Sequence, residues 1–400
     1  MAPSLCTAAE RAPNHTIAML PRVPGRARAH HAVRTLRGPP VEIVSGLHQL
    51  RTPMNTPGLP YVMPYLFEGP DGVALFDAGY GTKEATRAMT DELSTRGYQP
   101  SDIRMLVISH AHPDHLGMAA WVKEQSPDCE LVMLEREWQW IQDRWLGFDD
   151  WEDHSNDWLV RHGITRAEVD AADRAGAVGL GGAVTPRGMQ RLAARLWHRV
   201  SPRHRDRSWR RSFRMDTKPD RVVQDGEVIE FGDWRLQSIW TPGHTPGHLC
   251  VYEPNHKLML TGDHVLPRIT PNVSMHNDDE ANGRSPLAEY MSSLAKTAEF
   301  DSDQGLPAHE YNIEDLPARC HELIEHHEER LEEVLIGIGD GAATAGDVSG
   351  RVKWNTRPFE QFNIWQKRSA LGETLAHLQV LLDADRVRRF DDDCTRWERV

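Results

Sequence analysis

Ile108-Ser109-His110-Ala111-His112-Pro113-Asp114-His115 places four ligand-type side chains within six positions, directly after the apolar run Met105–Ile108. Four such groups cannot all serve packing, because burying them without partners costs several kcal/mol. The run before them reads as a buried strand, so the motif occupies a turn leaving a strand end. On such a turn the alternate residues His110 and His112 can converge on one ion, while Asp114 and His115 point to a neighbouring site. Neutral imidazole and carboxylate suit zinc, and two such groups a few ångströms apart require a pair of metals.

Further clusters occur in chain order. Thr241-Pro242-Gly243-His244-Thr245-Pro246-Gly247-His248 lies in a Gly/Pro loop after the strand-like run Leu236–Ile239. Thr261-Gly262-Asp263-His264 follows the run Lys257–Leu260, and Leu306-Pro307-Ala308-His309 is expected after a short helix. Leu75-Phe76-Asp77-Ala78-Gly79 precedes them all. This ordered set resembles the metallo-β-lactamase-fold metallohydrolases of the HxHxDH type, over about residues 41–135 and 220–312. The resemblance implies a four-layer αββα sandwich. It also implies that His110, His112 and His244 hold one metal, that Asp114, His115 and His309 hold a second, and that Asp263 bridges them. Two Zn2+ per chain are the expected cofactors, with iron or manganese as alternatives. Asp263 and Asp114 are then catalytic. Asp77, at a strand end, is expected to orient a ligand histidine, as ligand histidines generally require. His248 either does the same, touches substrate, or is a loop histidine bonded to backbone. His264 reads as structural, and His326 and His327 read as a solvated face of a Glu-rich helix. Ser109 is assigned no chemistry.

Outward from these motifs, the chain divides into three parts. Residues 1–40 hold six prolines and six arginines against one acid, Glu10, and read as a disordered extension, with a transit-type leader as the alternative. Residues 41–312 alternate strand and helix signals (strands at Val41–Val44, Tyr61–Phe67, Val73–Phe76 and Glu130–Leu134, and a helix at Thr82–Arg96), as a layered α/β domain does. About 135–218 interrupts this alternation with a Trp-rich helical insertion. Trp138, Trp140 and Trp145 are placed there to wall the metal edge, and Arg187–Arg214 holds ten arginines against the single acid Asp206. Residues 313–400 read as a helical, winged-helix-like cap, with helices at Leu316–Ile336, Phe359–Trp365 and Ala370–Leu382.

The formal charge of −13 argues against a general nucleic-acid binder, whose phosphate contacts need surplus Lys and Arg. Five cysteines without a CxxC pair argue against a disulfide framework and for a reducing, cytoplasmic setting. No apolar run reaches the length of a membrane span. The superfamily that the motifs resemble cleaves β-lactams, lactones, thioesters and phosphodiesters, and some members carry out redox chemistry. True β-lactamases of the fold generally lack the bridging aspartate, so Asp263 argues against that activity. Leu266 stands where acyl-homoserine-lactone lactonases place a tyrosine. The insertion and tail differ from glyoxalase-II-type thioesterases, and a flavodoxin-type domain is absent. The expectation is a binuclear metal-dependent hydrolase that uses a metal-bridging hydroxide to cleave an ester, lactone or thioester of a small, neutral-to-anionic substrate. The alternative is a single-strand endoribonuclease or phosphodiesterase, since the tail also resembles a mitochondrial endoribonuclease branch. A homodimer is left open.

Overall fold

Met105, Leu106, Val107 and Ile108 are all apolar because their strand has a core on each face. Leu106 and Ile108 pack into one hydrophobic cluster and Met105 and Val107 into another. Such a continuous apolar run marks a strand covered on both sides. It lies within a seven-stranded sheet of order β1 (Val41–Val44), β2 (Leu47–Gln49), β5 (Tyr65–Gly69), β6 (Gly72–Phe76), β7 (Ile103–Ile108), β8 (Glu130–Leu134) and β9 (Arg221–Val223). The first four strands pair antiparallel, and β6 to β9 run parallel. A short ribbon of β3 (Thr52–Thr56) and β4 (Leu59–Val62) stands apart, so the single strand expected at Tyr61–Phe67 is broken at Met63-Pro64. This computed structural model describes residues 41–56, 59–143, 151–177, 217–355 and 357–400.

The second sheet has five strands: β10 (Val228–Phe231), β11 (Trp234–Trp240), β12 (Leu249–Glu253), β13 (Leu258–Gly262) and β14 (Gln304–Pro307). β10 to β13 form an antiparallel meander, and β14 joins β13 in parallel. The core between the sheets combines Phe67, Phe76, Val107 and Val132 with Leu236, Val251, Leu260 and Leu306. On the outer face of the first sheet lie α1 (Lys83–Ser94), α2 (Pro113–Leu116), α3 (Ala119–Gln125) and α4 (Glu135–Ile141). Against the second sheet pack α5 (Trp151–Arg161), α6 (Arg166–Ala177), α8 (Pro286–Ala298), α9 (Leu316–Ile338), α10 (Ala345–Arg351) and α11 (Ile364–Asp383), after the short α7 (Asn277–Ala281). The layers are therefore α, β, β, α.

Three sequence expectations are corrected. The Leu306–His309 motif leaves a strand, β14, because Gly305 and Leu306 are drawn into parallel pairing with β13. The helices expected at Phe359–Trp365 and Ala370–Leu382 are a single 3₁₀ turn at Phe359–Gln361 and one helix, α11, that starts at the Asn363 capping box. The C-terminal unit also carries a three-stranded sheet of β15 (Ala343–Thr344), β17 (Thr395–Arg399) and β16 (Val387–Asp391). Its helix–strand–helix–helix–hairpin order is that of a winged helix. This unit docks firmly on the second layer: Met275 N–H donates to the mid-helix carbonyl of Gly372, 2.9 Å away. Residues 1–40 and Arg187–Arg214 lie outside the described residues.

Candidate metal centre

The C-terminal ends of β6, β7, β11, β13 and β14 meet at one edge of the sandwich, and each delivers one or more polar side chains there. A bond from Leu249 N–H to the Ser109 carbonyl, 2.8 Å, joins the two sheets at this edge. His110 and His112 leave β7, with Asp114 and His115 in α2 directly after them. His244 sits in the β11–β12 loop, Asp263 follows β13, and His309 follows β14. Two donor sets result, each able to hold a metal ion: His110, His112, His244 and Asp263, and Asp114, His115 and His309. Each set draws on both sheets.

The hydrogen bonds fix which nitrogens face inward. His115 Nδ1 lies 2.8 Å from Asp77 Oδ2, His244 Nδ1 lies 2.7 Å from the Asn272 carbonyl, and His309 Nδ1 lies 3.2 Å from the Tyr61 carbonyl. Carboxylate and carbonyl oxygens only accept, so the neutral form of each of these rings carries its proton on Nδ1 and offers a lone pair at Nε2. Ser109 Oγ–H donates to Asp77 Oδ2 at 2.9 Å, so the same oxygen accepts from His110 Nδ1–H, also at 2.9 Å. His110 Nε2 and His244 Nε2 then face His112 Nδ1 at 2.9 and 3.0 Å. A single ring nitrogen cannot donate a full bond to both, so at least one of these contacts has no proton to share unless a cation lies between the rings.

Charge points the same way. Burial holds His110, His112 and His244 below the ordinary histidine range, and His112 falls to about 3. Burial opposes charge on His115 and His309 too, but Asp114, Asp77 and Asp263 overcome it at His115, and Asp263 with Asp114 lifts His309 to about 10. Asp114 and Asp263 are held below the usual carboxylate range despite their burial, His115 acting most strongly on the first and His309 on the second. Positive charge is thus stabilised beside the two carboxylates. Asp263 Oδ2 is 3.6 Å from both His115 Nε2 and His244 Nε2, and its Oδ1 is 3.3 Å from His309 Nε2. Among the described residues, His115 Nε2, His309 Nε2 and Asp263 Oδ1 are buried without a hydrogen-bond partner. Buried polar atoms of native proteins are normally satisfied, so these orphaned donors fit a bound cation.

Asp77 accepts from Ser109 N–H and Ser109 Oγ–H as well as from His115, at 2.8 to 2.9 Å. It does so from a left-handed backbone, φ 63°, a conformation that Asp tolerates better than most residues. The ring nitrogens of His248 bond no donor side chain and reach the first set only through the Asp263 backbone. Its Nδ1 meets Thr241 Oγ1 at 2.9 Å, and its Nε2 accepts from the Asp263 backbone N–H at 3.2 Å. That contact depends on Gly262, at φ +50°, where a Cβ would come within 2.9 Å of His248 Nε2. His264 is buried beneath the site and bonds Thr297 Oγ1 at 3.0 Å. His327 departs from expectation: it is buried in α9, with Nδ1 3.2 Å from His377 Nε2 of α11, while its neighbour His326 is half-buried. The helix turns His327 inward between Tyr290 and His377.

Sequence reasoning missed two residues. Ser109, just described, is the relay between Asp77 and His110. Glu137 of α4 is fully buried, and its Oε1 accepts from Ala111 N–H at 2.7 Å. Its Oε2 accepts from Thr245 Oγ1–H and Gly247 N–H, both at 2.9 Å. Burial pushes its carboxyl up to about 7, against the pull of these donors. The only hint was an acid within a Trp-rich segment otherwise read for its aromatics. Beside the first donor set, a pocket is lined by Trp140, Pro246, Ser274, His276, Arg284 and Pro286. Trp140 reaches Asp278 Oδ2 through its indole N–H at 3.2 Å, and Trp138 packs on the first sheet's helical face. Trp145 lies outside the described residues.

Known proteins resemble this chain in sequence and in fold. "Lactamase-like protein vrtG" of Penicillium aethiopicum is 34% identical over 118 residues, 30% of this chain and 35% of vrtG. "Atrochrysone carboxyl ACP thioesterase" of Aspergillus fumigatus is 27% identical over 132 residues, 32% of this chain and 38% of its own length. The chain thus spans little more than a third of the fungal relatives it matches. "Probable metallo-hydrolase YqjP" of Bacillus subtilis is 24% identical over 322 residues, covering 80% of this chain and 87% of YqjP. The crystal structure of the metallo-beta-lactamase family protein TTHA1429 from Thermus thermophilus superposes with a TM-score of 0.68 at 25% identity, over 90% of this chain and 100% of that one. The family description "Metallo-beta-lactamase superfamily" matches residues 57–309, more than half of the sequence and all seven donor positions. The chain belongs to the metallo-beta-lactamase superfamily.

Proposed function

We propose that this chain is a binuclear zinc hydrolase that cleaves the acyl bond of a small thioester, ester or lactone. The observation that carries the reading is the facing pair of donor sets with Asp263 directed at both, three of whose buried donor atoms have no hydrogen-bond partner among the described residues. His110, His112 and His244 would hold one ion, Asp114, His115 and His309 the other, and Asp263 both. A His₃ set and an AspHis₂ set suit zinc, with iron or manganese as alternatives. Divalent ions so held supply Lewis acidity, lowering the pKa of water from 15.7 towards ~7 and polarising a carbonyl oxygen. The chain's own residues do the rest. Asp77, Ser109, Asn272 and Tyr61 hold the proton of each neutral ring on the outward nitrogen and leave the inward one for an ion, His248 holds the Asp263 backbone, and Trp140, Pro246 and Pro286 narrow the approach. Arg284 stands in the pocket wall but is already paired with Asp279 and Glu289. Among the described residues of the pocket wall, this suits a small substrate better than a polyanion, which needs a track of free cations. The ACP thioesterase among the relatives supports acyl hydrolysis, and the probable metallo-hydrolase supports hydrolysis.

The reading is tested by incubating zinc-loaded protein with an acyl-thioester, a chromogenic ester, a lactone and a single-stranded RNA oligomer, at low and high salt. Acyl cleavage that chelator abolishes is expected, with little salt dependence. RNA cleavage that exceeds every acyl activity and collapses with salt would transfer the assignment to the endoribonuclease reading, which the wing-bearing C-terminal unit favours.

A further inference from the structure

Glu137 lies outside both donor sets, yet it is bonded to both loops that supply the first set's histidines. Ala111, whose N–H it accepts, stands between His110 and His112. Thr245, whose hydroxyl it accepts, directly follows His244, and Gly247 lies two positions beyond. These loops come from different sheets, and Thr245 is 108 residues from Glu137 in sequence. The approach is close: a Cβ at Gly247 would fall 2.0 Å from Glu137 N, so the His244 loop rests directly on the first turn of α4. The carboxylate is fully buried and accepts three hydrogen bonds, which fixes its own orientation. The second set is held by other groups. Asp114 and His115 are placed by α2 and Asp77, and His309 by β14 and the Tyr61 carbonyl.

We infer that Glu137 is the positioning residue of the first metal site: it holds the His110–His112 turn and the His244 loop at the spacing at which their nitrogens share one ion. The inference rests on the binuclear reading above. Outer groups that orient metal ligands commonly contribute 10- to 100-fold in affinity. An isosteric Glu137→Gln change should therefore weaken the first ion by about that factor, because an amide nitrogen replaces one accepting oxygen and faces donors.

The experiment measures Zn2+ affinity by competition with a chromogenic chelator in single-site backgrounds of the full chain. His309→Ala leaves the first set intact, and His244→Ala leaves the second. Glu137→Gln is expected to weaken binding on the order of 10- to 100-fold in the His309→Ala background and to leave the His244→Ala background unchanged. Equal affinity with and without Glu137→Gln in the His309→Ala background would overturn the inference, as would equal loss in both backgrounds. Should Glu137→Gln not fold, Thr245→Val removes one of the three bonds and keeps the carboxylate. It should give a smaller loss confined to the same background, and no loss would again overturn the inference. The binuclear reading fails separately, if the protein without substitutions binds fewer than two equivalents of Zn2+.

Discussion

Asp77→Asn would reverse a chain of protons without removing a single heavy atom. Asn tolerates the left-handed backbone at φ 63°, and its carbonyl can still accept from Ser109 N–H, so the turn should survive. Its amide nitrogen, however, replaces Oδ2 and donates where Oδ2 accepted from Ser109 Oγ–H and His115 Nδ1–H. His115 Nδ1 must then accept, moving its proton to Nε2, which points at Asp114 and Asp263. Ser109 Oγ must accept from the amide and donate to His110 Nδ1, which protonates His110 Nε2 as well. Three bonds to a charged acceptor become neutral, at about 1 kcal/mol each, so the metal-free protein should lose about 3 kcal/mol of stability. Each ion must now bind a ring whose neutral form carries its proton on the inward nitrogen, and affinity should fall 10- to 100-fold, about 1.4 to 2.7 kcal/mol. Urea melts in the presence of chelator read the first quantity, and Zn2+ competition titrations read the second. A variant that loses stability but keeps full Zn2+ affinity would refute the proton argument and leave Asp77 as scaffold only.

Three further outcomes are expected. Zinc should raise the unfolding free energy by about 2.7 kcal/mol at one hundred times its dissociation constant, and chelator should reverse the gain in a thermal melt. His377, held at about 3 chiefly by burial, binds its proton in the unfolded chain but not in the folded one between that value and ~6.5. Stability should therefore be complete above ~6.5 and fall as pH drops, by up to about 1.4 kcal/mol per pH unit for this ring, and His377→Gln should flatten the slope of melts run against pH. Gly247→Ala should separate α4 from the His244 loop and cost Zn2+ affinity as well as stability, whereas Gly226→Ala, where a Cβ meets nothing within 4 Å, should leave Zn2+ affinity unchanged in the same titration.

The candidate donors could be picked out in sequence because four of them crowd directly after the apolar run Met105–Ile108, and the rest recur as short His and Asp motifs in the chain order of the family they resemble. The partners that hold them could not. Ser109 acts through Asp77, 32 residues away, and Glu137 through Thr245 and Gly247, 108 and 110 residues away, and nothing in the local pattern separates Glu137 from the ordinary acid of a first helical turn. Strand β14 was hidden because Gln304-Gly305-Leu306-Pro307 has poor strand propensity and is recruited by its parallel neighbour. The wing strands Val387–Asp391 and Thr395–Arg399 bury only Val387, Thr395 and Trp397, and their remaining positions are mostly charged, so a strand pattern hardly shows in the sequence. His327 looked exposed because its neighbours on α9 are charged, while its partner His377 lies 50 residues away.

Each donor set takes ligands from both sheets, and this gives an ion there the character of a cross-link. His112 and His244 are 132 residues apart in sequence, and the second set closes a still longer loop. In chain-entropy terms, tying a loop of about 100 residues restricts the unfolded ensemble by about 4.7 kcal/mol, the scale of a long-range disulfide. A reducing compartment that forbids disulfides leaves such a clasp intact. If the chain were cut between α6 and β9, neither fragment would own a complete set of ligands, and zinc would become the reagent that decides whether the two fragments stay together.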